Sequence, residues 1–98
     1  MSLTQKQRAA KLQRYRTEQS RIAIERDNYT CRRCGAAGCE VHHAHGRGNW
    51  RTREHYEHSS KLLTLCWQCH ARCHRLTPLL AKTELIEILE LVLKEEAC

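Results

Sequence analysis

The chain of 98 residues carries 17 lysines and arginines against 11 acidic residues, which gives a formal charge of +6. Its length is that of one domain, which excludes a large multidomain enzyme. Only 41% of the residues are hydrophobic and phenylalanine is absent, so apolar burial alone would leave the fold marginal, and the seven cysteines are the predicted source of further stability. Because the apolar runs are too short to cross a bilayer and the first residues lack the apolar core of a signal peptide, we expect a cytoplasmic chain with no membrane partner.

The first predicted element is a long basic helix. Thr4 and Gln7 have the spacing of a capping box, and neither glycine nor proline interrupts the chain from there to about Arg26. Its apolar positions are sparse, which predicts a helix that is solvated or lies against a partner. Residues 1–34 contain nine basic against three acidic residues, which favours a polyanionic partner. The alternative is a solvated face that only maintains solubility. The candidate phosphate contacts are Arg14, Arg16 and Arg21.

Two matched cysteine pairs, Cys31 with Cys34 and Cys66 with Cys69, are separated by 31 residues. Four thiolates in two Cys-x-x-Cys pairs suit a closed tetrahedral zinc site, whose binding energy contributes to folding. A glycine directly after the first pair permits the positive φ that such a turn needs. A reducing cytoplasm and an odd cysteine count both favour metal over disulfides. The remaining cysteines are expected to be small buried or free thiols: Cys39, Cys73 and Cys98. As an alternative, Cys39 or Cys73 could replace one of the four zinc ligands.

Between and beside the cysteine pairs, the sequence predicts two short strands followed by a helix. The strands cover 41–45 and 62–65, and 66–74 is compatible with a turn that enters a helix. On a helix, His70 and His74 share one face. Closing the zinc site would bring these two imidazoles near the pair His42 and His43 at the first strand. Imidazoles can hold a divalent cation beside a phosphate, while a neutral neighbour can deprotonate water.

The loop after the first strand combines arginines with an indole. Arg47, Arg51 and Arg53 surround Trp50. This composition is suited to a nucleic-acid backbone, with Trp50 able to stack on a base. An equally weighted alternative makes Trp50 a core residue that covers the zinc site.

The last predicted element is an amphipathic helix. Thr77 and Pro78 are interpreted as its N-cap and first helical residue. Leu85, Leu89 and Val92 belong to an apolar stripe with helical spacing. The stripe is expected to cover the basic helix or the small core, or alternatively to form a surface for a homodimer or another protein.

The central region resembles the HNH endonucleases, the ββα-metal or His-Me finger class. The resemblance covers about residues 26–75 and leaves the two ends of the chain outside it. It implies a small α+β fold in one domain, 1–98, with a basic helical extension (1–26), a zinc-stapled ββα-metal core (27–75) and an amphipathic C-terminal helix (76–98). The motifs that carry it are 26–35 around the first cysteine pair, Val41-His42-His43, and 62–70 with His74.

By position, the resemblance implies that His43 is the general base and that His42 and His70 are ligands of a catalytic divalent metal. His74 would be a further ligand or a phosphate contact. The implied metal is Mg²⁺, Mn²⁺ or Ni²⁺, and the implied substrate is DNA, most simply double-stranded. One site would nick one strand and leave 5′-phosphate and 3′-hydroxyl ends. Small proteins of this kind occur in bacteria and phages.

One position departs from the family pattern. Lys61 stands where the family usually has the asparagine that braces the loop behind the general base. An ammonium has donors only and cannot fully replace an amide. Asn49, in the loop, is a candidate replacement. The departure gives some weight to a second hypothesis, a zinc-stabilised nucleic-acid-binding module without catalysis, or an accessory protein of a larger DNA-processing complex.

Overall fold

The computed structural model describes residues 3–97 and shows a small α+β protein. It contains helices on both sides of a two-stranded antiparallel sheet in the chain order helix, strand, helix, strand, helix, helix. This confirms the predicted α+β class. The elements are α1 (Gln5–Arg26), β1 (Glu40–His43), α2 (Arg53–Glu57), a 3-10 turn (Ser59–Lys61), β2 (Leu62–Leu65), α3 (Trp67–His74) and α4 (Lys82–Ala97).

The capping box at the start of α1 is present. The Gln7 N–H donates to Thr4 Oγ1 over 3.1 Å, and the Thr4 N–H donates to Gln7 Oε1 over 2.9 Å. These two bonds satisfy backbone donors that a helix start otherwise leaves unpaired. Most of α1 is exposed, and Ala23 is its one buried residue, as the sparse apolar pattern indicates.

The two predicted strands form a hairpin that places the histidine pair beside buried leucines. β1 and β2 are antiparallel, with His42 opposite Leu63 and His43 opposite Leu62. All four residues of β2 are buried. Because side chains alternate between the faces of a strand, His42 and His43 point to opposite sides of the sheet. α3 follows directly after β2, so the predicted order of two strands and a helix is confirmed.

A buried carboxylate joins the end of α1 to the hairpin. Asp27 receives hydrogen bonds from the guanidinium groups of Arg26 and Arg32, at 2.8 and 2.9 Å, and from the Thr64 N–H at 3.0 Å. Burial opposes ionisation, but these donors hold the pKa of Asp27 below its usual value. Arg26 also donates to the carbonyl oxygens of Ser59 and Leu62. The Cys31 turn, α1 and β2 are therefore held together by one ionic network.

The apolar face of α4 covers the small core. Leu85, Leu89 and Val92 are buried with Leu63 and Leu65 of the hairpin region. The expectation that this stripe covers the core is confirmed. Leu91 is 61% exposed and lies outside that face.

The predicted start of the last helix is wrong. α4 begins at Lys82, and Pro78 lies in an irregular segment before it. The Leu80 N–H donates to the carbonyl oxygen of Arg72, and Arg72 Nε donates to the carbonyl oxygen of Pro78, each over 2.8 Å. These contacts hold the segment against α3 and place Leu80 on the core. Tertiary contacts have outweighed the local helix signal.

The helices of residues 3–97 can be compared with the length and apolar character of a membrane-spanning segment. Within that range, none has both the length and the apolar character that a bilayer crossing requires.

Candidate functional site

The four predicted cysteines come together in one cluster. Their sulfur atoms all lie within 4.8 Å of one another. Cys34 Sγ and Cys66 Sγ, which belong to different pairs, are 3.7 Å apart. Four thiolates at about 2.3 Å from a zinc ion would be separated by about 3.8 Å along each edge of the tetrahedron. The cluster therefore fits a tetrahedral metal ion such as zinc.

Each cysteine pair forms a turn that directs a backbone donor at a sulfur atom. The Cys34 N–H donates to Cys31 Sγ over 3.5 Å, and the Cys69 N–H donates to Cys66 Sγ over 3.4 Å. Gly35 has a φ of +83°, as the sequence predicts. Burial alone would raise the pKa of the Cys31 thiol, but the surrounding backbone N–H groups lower this pKa to about 7. The turns thus favour the thiolate that a metal requires.

A cation that the sequence did not single out lies beside the cluster. Arg33 Nη1 is 3.8 Å from Cys69 Sγ, and Arg33 Nε pairs with Glu84 of α4 over 2.5 Å. Burial and the neighbouring sulfur atoms raise the pKa of Cys69 to about 12. Without a divalent cation this thiol stays protonated, and metal binding must displace its proton. Arg33 offsets part of the negative charge that four thiolates would carry.

The remaining cysteines are not ligands of this group. Cys39 is exposed, and Cys73 is partly buried with its thiol donating to the Cys69 carbonyl oxygen. Neither replaces one of the four clustered cysteines, so the substitute-ligand alternative is wrong for residues 3–97. Cys98 lies outside the described residues.

Three of the four predicted histidines form a second group. Nitrogen atoms of His42, His70 and His74 lie within 4.8 Å of one another. His42 comes from β1, while His70 and His74 are one turn apart on α3. Their ring centroids are 5.2 to 5.6 Å apart. Three imidazoles around one point are a suitable ligand set for a divalent transition metal or zinc.

The surroundings of two of these imidazoles, those of His42 and His74, favour the neutral form. His42 is 7% exposed, and its Nδ1 atom is buried without a hydrogen-bond partner within residues 3–97. Burial, followed by the neighbouring His70 and His74, lowers the pKa of His42 to about 4. The pKa of His74 is also lowered, by burial, His70, Arg75 and Arg47. Neutral rings with an unpartnered nitrogen are available to a metal ion.

Glu40 orients one of the three histidines. Its Oε1 atom lies 2.8 Å from His70 Nδ1. A carboxylate on one ring nitrogen fixes the tautomer and leaves the other nitrogen free for a metal. Sequence analysis missed Glu40, because nothing in the spacing links a residue at the start of β1 to α3.

His43 lies outside the three-histidine group and has its own carboxylate partner. His43 Nε2 is 2.6 Å from Glu57 Oε1, and Glu57 is 3% exposed. Asn49 does not brace this region, since its side chain accepts the Arg51 N–H within its own loop. The Lys61 carbonyl oxygen instead accepts the N–H of Ala44, which directly follows His43. The Asn49 hypothesis is therefore wrong, and sequence analysis missed Glu57.

The indole of the loop is on the surface. Trp50 is 79% exposed, so the alternative that it covers the zinc site is wrong. The Arg51 guanidinium carbon lies 5.0 Å from its ring centroid, within the range of a cation–π contact. Trp50, Arg51 and Arg53 line a cleft of about 420 Å³ whose opposite side is the first part of α1, including Arg8 and Lys11. Arg47 is also exposed and lies near His74.

The three arginines singled out on α1 differ in their contacts. Arg21 pairs with Glu18 at 2.5 Å and Glu25 at 2.9 Å on its own helix. Arg16 pairs with Glu57 at 3.1 Å. Arg14 is exposed and has no ion pair within residues 3–97. Two of the three predicted phosphate contacts are thus already held by carboxylates.

Comparisons with protein-family models, with curated proteins and with solved structures give no match for this chain.

Proposed function

We propose that this protein is a metal-dependent endonuclease of the HNH type that hydrolyses phosphodiester bonds in DNA. The observation that carries the proposal is the group of His42, His70 and His74 with His43 beside it on the same strand. One imidazole outside a set of metal-ligating imidazoles is the arrangement that a general base beside a metal requires. The cysteine cluster supports this as a structural zinc site that holds both histidine-bearing segments.

In the proposed reaction, His43 accepts a proton from water as the water oxygen attacks the phosphorus atom. The bond from phosphorus to the 3′ oxygen breaks, which leaves a 5′-phosphate and, after protonation, a 3′-hydroxyl. His42, His70 and His74 would hold the divalent ion, and three imidazoles favour Mn²⁺ or Ni²⁺ over Mg²⁺, which prefers oxygen ligands. When bound, the ion would stabilise negative charge on the scissile phosphate and the leaving oxygen. Arg47, near His74, is placed to attract the phosphate to the same side.

The proposed DNA contacts are Arg47 beside the histidine group and the cleft between the loop and the start of α1. Trp50, Arg51 and Arg53 face Arg8 and Lys11 across the cleft, and Arg14 follows on the helix. Guanidinium and ammonium groups would bind phosphates, and the exposed indole offers a stacking surface. Arg16 and Arg21 contribute less than the sequence suggested because carboxylates already pair with them.

Nicking of supercoiled plasmid tests this function. Purified protein is incubated with Mg²⁺, Mn²⁺, Ni²⁺ or EDTA, beside His43→Ala and, as a matched control, His55→Ala, which removes an exposed imidazole on α2. We expect metal-dependent nicking that His43→Ala abolishes, while His55→Ala retains it. DNA affinity and zinc content should be the same in all three proteins.

The second hypothesis, a binding module without catalysis, has its own outcome in this experiment. Wild-type protein that binds DNA and retains zinc but nicks with none of the metals would support that function or an accessory role. Nicking that persists in His43→Ala would contradict the assignment of the general base.

A further inference from the structure

Glu57 is a buried carboxylate that the proposed reaction has not yet used. It lies at the end of α2 and is 3% exposed. Burying a carboxylate is costly unless both oxygens have partners. Oε1 is 2.6 Å from His43 Nε2, and Oε2 is 3.1 Å from Arg16 Nε. The carboxylate therefore links the proposed general base to the basic helix α1.

The hydrogen bond between Glu57 and His43 restricts the state of the imidazole. A carboxylate accepts hydrogen bonds, so His43 Nε2 must carry the hydrogen atom. In the neutral ring, the lone pair is then on Nδ1. A proton acceptor needs that lone pair, so only one nitrogen of His43 is left for the reaction.

The two sides of His43 face different surroundings. On one side, a cleft of about 420 Å³ is lined by His43, Glu57 and residues of α1 that include Arg16. On the other side, His43 lines a cleft of about 260 Å³ together with His42 and His74. Glu57 of α2 thus holds Nε2 of the imidazole, and the residue that carries this imidazole also lines the cleft of the three-histidine group.

We infer that Glu57 is a positioning residue, itself held by Arg16, that fixes His43 as the Nε2–H tautomer so that Nδ1 is the atom that accepts a proton from water. This inference rests on the proposed function for the role of His43. It also assigns α1 a part in the site, because Arg16 holds the far oxygen of the carboxylate. Arg16 then acts through Glu57 rather than as a phosphate contact.

Substitutions of Glu57 test the effect on the reaction. Glu57→Ala removes the acceptor, and we expect kcat for plasmid nicking to fall by about 100-fold with little change in KM, because an incorrectly oriented or wrong-tautomer base affects the chemical step. Glu57→Gln retains an oxygen acceptor of the same shape and should recover part of the loss. Glu87→Gln, which changes an exposed carboxylate on α4, should match the wild type.

Folding is followed separately so that lost activity is not confused with lost structure. Zinc content and thermal unfolding are measured for each variant, and Glu57→Gln serves if Glu57→Ala does not fold. Arg16→Ala leaves His43 and Glu57 in place, and we expect about a tenfold loss of kcat from a less firmly held carboxylate. Wild-type kcat in folded Glu57→Ala would overturn the inference, and where that variant does not fold, the tautomer of His43 in the wild-type protein decides.

A spectroscopic measurement decides the tautomer independently of activity. ¹⁵N NMR of the histidine side chains in the zinc-loaded protein distinguishes protonated from unprotonated ring nitrogens. We expect wild-type His43 to carry hydrogen on Nε2 and a lone pair on Nδ1, and both tautomers to be populated in Glu57→Ala or, where that variant does not fold, in Arg16→Ala. Wild-type His43 with hydrogen on Nδ1 would overturn the inference.

The two proposals fail in different ways. A wild-type protein that nicks DNA through His43 but is indifferent to Glu57 contradicts the positioning role and leaves the nuclease function standing. A wild-type protein that nicks nothing contradicts the function, and the tautomer measurement still decides whether Glu57 fixes His43.

Discussion

The cysteine and histidine clusters share one helix but differ in how completely the protein surrounds them. Cys66 caps α3, Cys69 lies in its first turn, and His70 and His74 follow on the same helix. The cysteine cluster has four ligands at tetrahedral spacing with backbone N–H groups directed at its sulfur atoms. The histidine group has three imidazoles and borders a cleft, and one of its buried nitrogens has no hydrogen-bond partner within residues 3–97.

This difference is the one expected between a structural metal site and the reactive site that we propose. A closed four-ligand site has no position for a substrate, whereas three ligands leave coordination positions open. Because α3 carries ligands for both, a metal in the cysteine cluster sets where His70 and His74 lie. The comparison predicts that disrupting the cysteine cluster affects both sites. Disrupting the histidine group should affect the histidine group alone.

The largest expected effect follows from breaking the cysteine cluster. Cys66→Ser removes a buried ligand, and we expect loss of zinc and of cooperative thermal unfolding, because zinc contributes on the order of 10 kcal/mol to folding in small domains. Metal analysis and circular dichroism provide the measurements. Cys39→Ser, at an exposed cysteine outside the cluster, should retain both properties. A Cys66→Ser protein that is zinc-free and stably folded would contradict the structural role.

Breaking the histidine group should leave the fold intact. His74 is exposed, so His74→Ala should unfold at the wild-type temperature. Removing one of three ligands should weaken binding of a second metal, for example Ni²⁺, by more than about 100-fold. Calorimetric titration of the zinc-loaded protein measures this affinity, with His55→Ala as the matched imidazole control. Equal Ni²⁺ affinity in His74→Ala would remove this residue from the ligand set.

The depressed pKa of His42 predicts a pH dependence of stability. Its pKa is about 4 in the folded protein against 6.5 for an unperturbed histidine, so the unfolded chain binds more protons between these values. The contribution of His42 to the free energy of unfolding should therefore fall as the pH falls from 6.5 to 4, by about 3 kcal/mol in total.

Denaturant unfolding at several pH values, compared with His42→Leu, isolates this contribution because the other titrating groups are common to both proteins. The wild type should lose stability more steeply than the variant as the pH is lowered. Parallel curves for the two proteins would show that His42 is not buried in its neutral form.

The smallest expected effect concerns the cation beside the cysteine cluster. Arg33→Gln removes the guanidinium near Cys69 Sγ and should lower zinc affinity roughly fivefold, which corresponds to about 1 kcal/mol for a partly exposed contact. Competition with a chelator measures the affinity. Glu84→Gln removes the carboxylate partner of Arg33 but keeps the guanidinium. The zinc affinity of this variant should lie between those of the wild type and Arg33→Gln. A tighter site in Arg33→Gln would show that the cation opposes metal binding.

The sequence predicted the members of both clusters because much of their spacing is local. Cys-x-x-Cys pairs and histidines four residues apart on a helix have geometry that the backbone fixes before the fold is known. The carboxylates that orient the histidines could not be predicted in this way. Glu40 reaches α3 and Glu57 reaches β1 only through the tertiary arrangement, and neither belongs to a motif or a periodic pattern in the sequence.

The prediction at Pro78 failed for a related reason. A proline after a threonine is a sound local signal for a helix start, but the local rule contains no information about α3. The backbone bond from Leu80 to Arg72 lies across two elements and fixes the segment before the helix. Where a local pattern competed with a long-range contact, the long-range contact decided the structure.

The ionic network at Asp27 ties the last turn of α1 to the core, so α1 cannot be replaced as a whole by an unrelated helix. The expected boundary between a helical extension and the core lies between Arg26 and Asp27, which are bonded to each other. The Ala23 carbonyl also accepts a hydrogen bond from the Thr64 hydroxyl. Grafting this core onto a different N-terminal helix would therefore succeed only if the last turn of α1 were transferred with it, since that turn is part of the core's own hydrogen bonding.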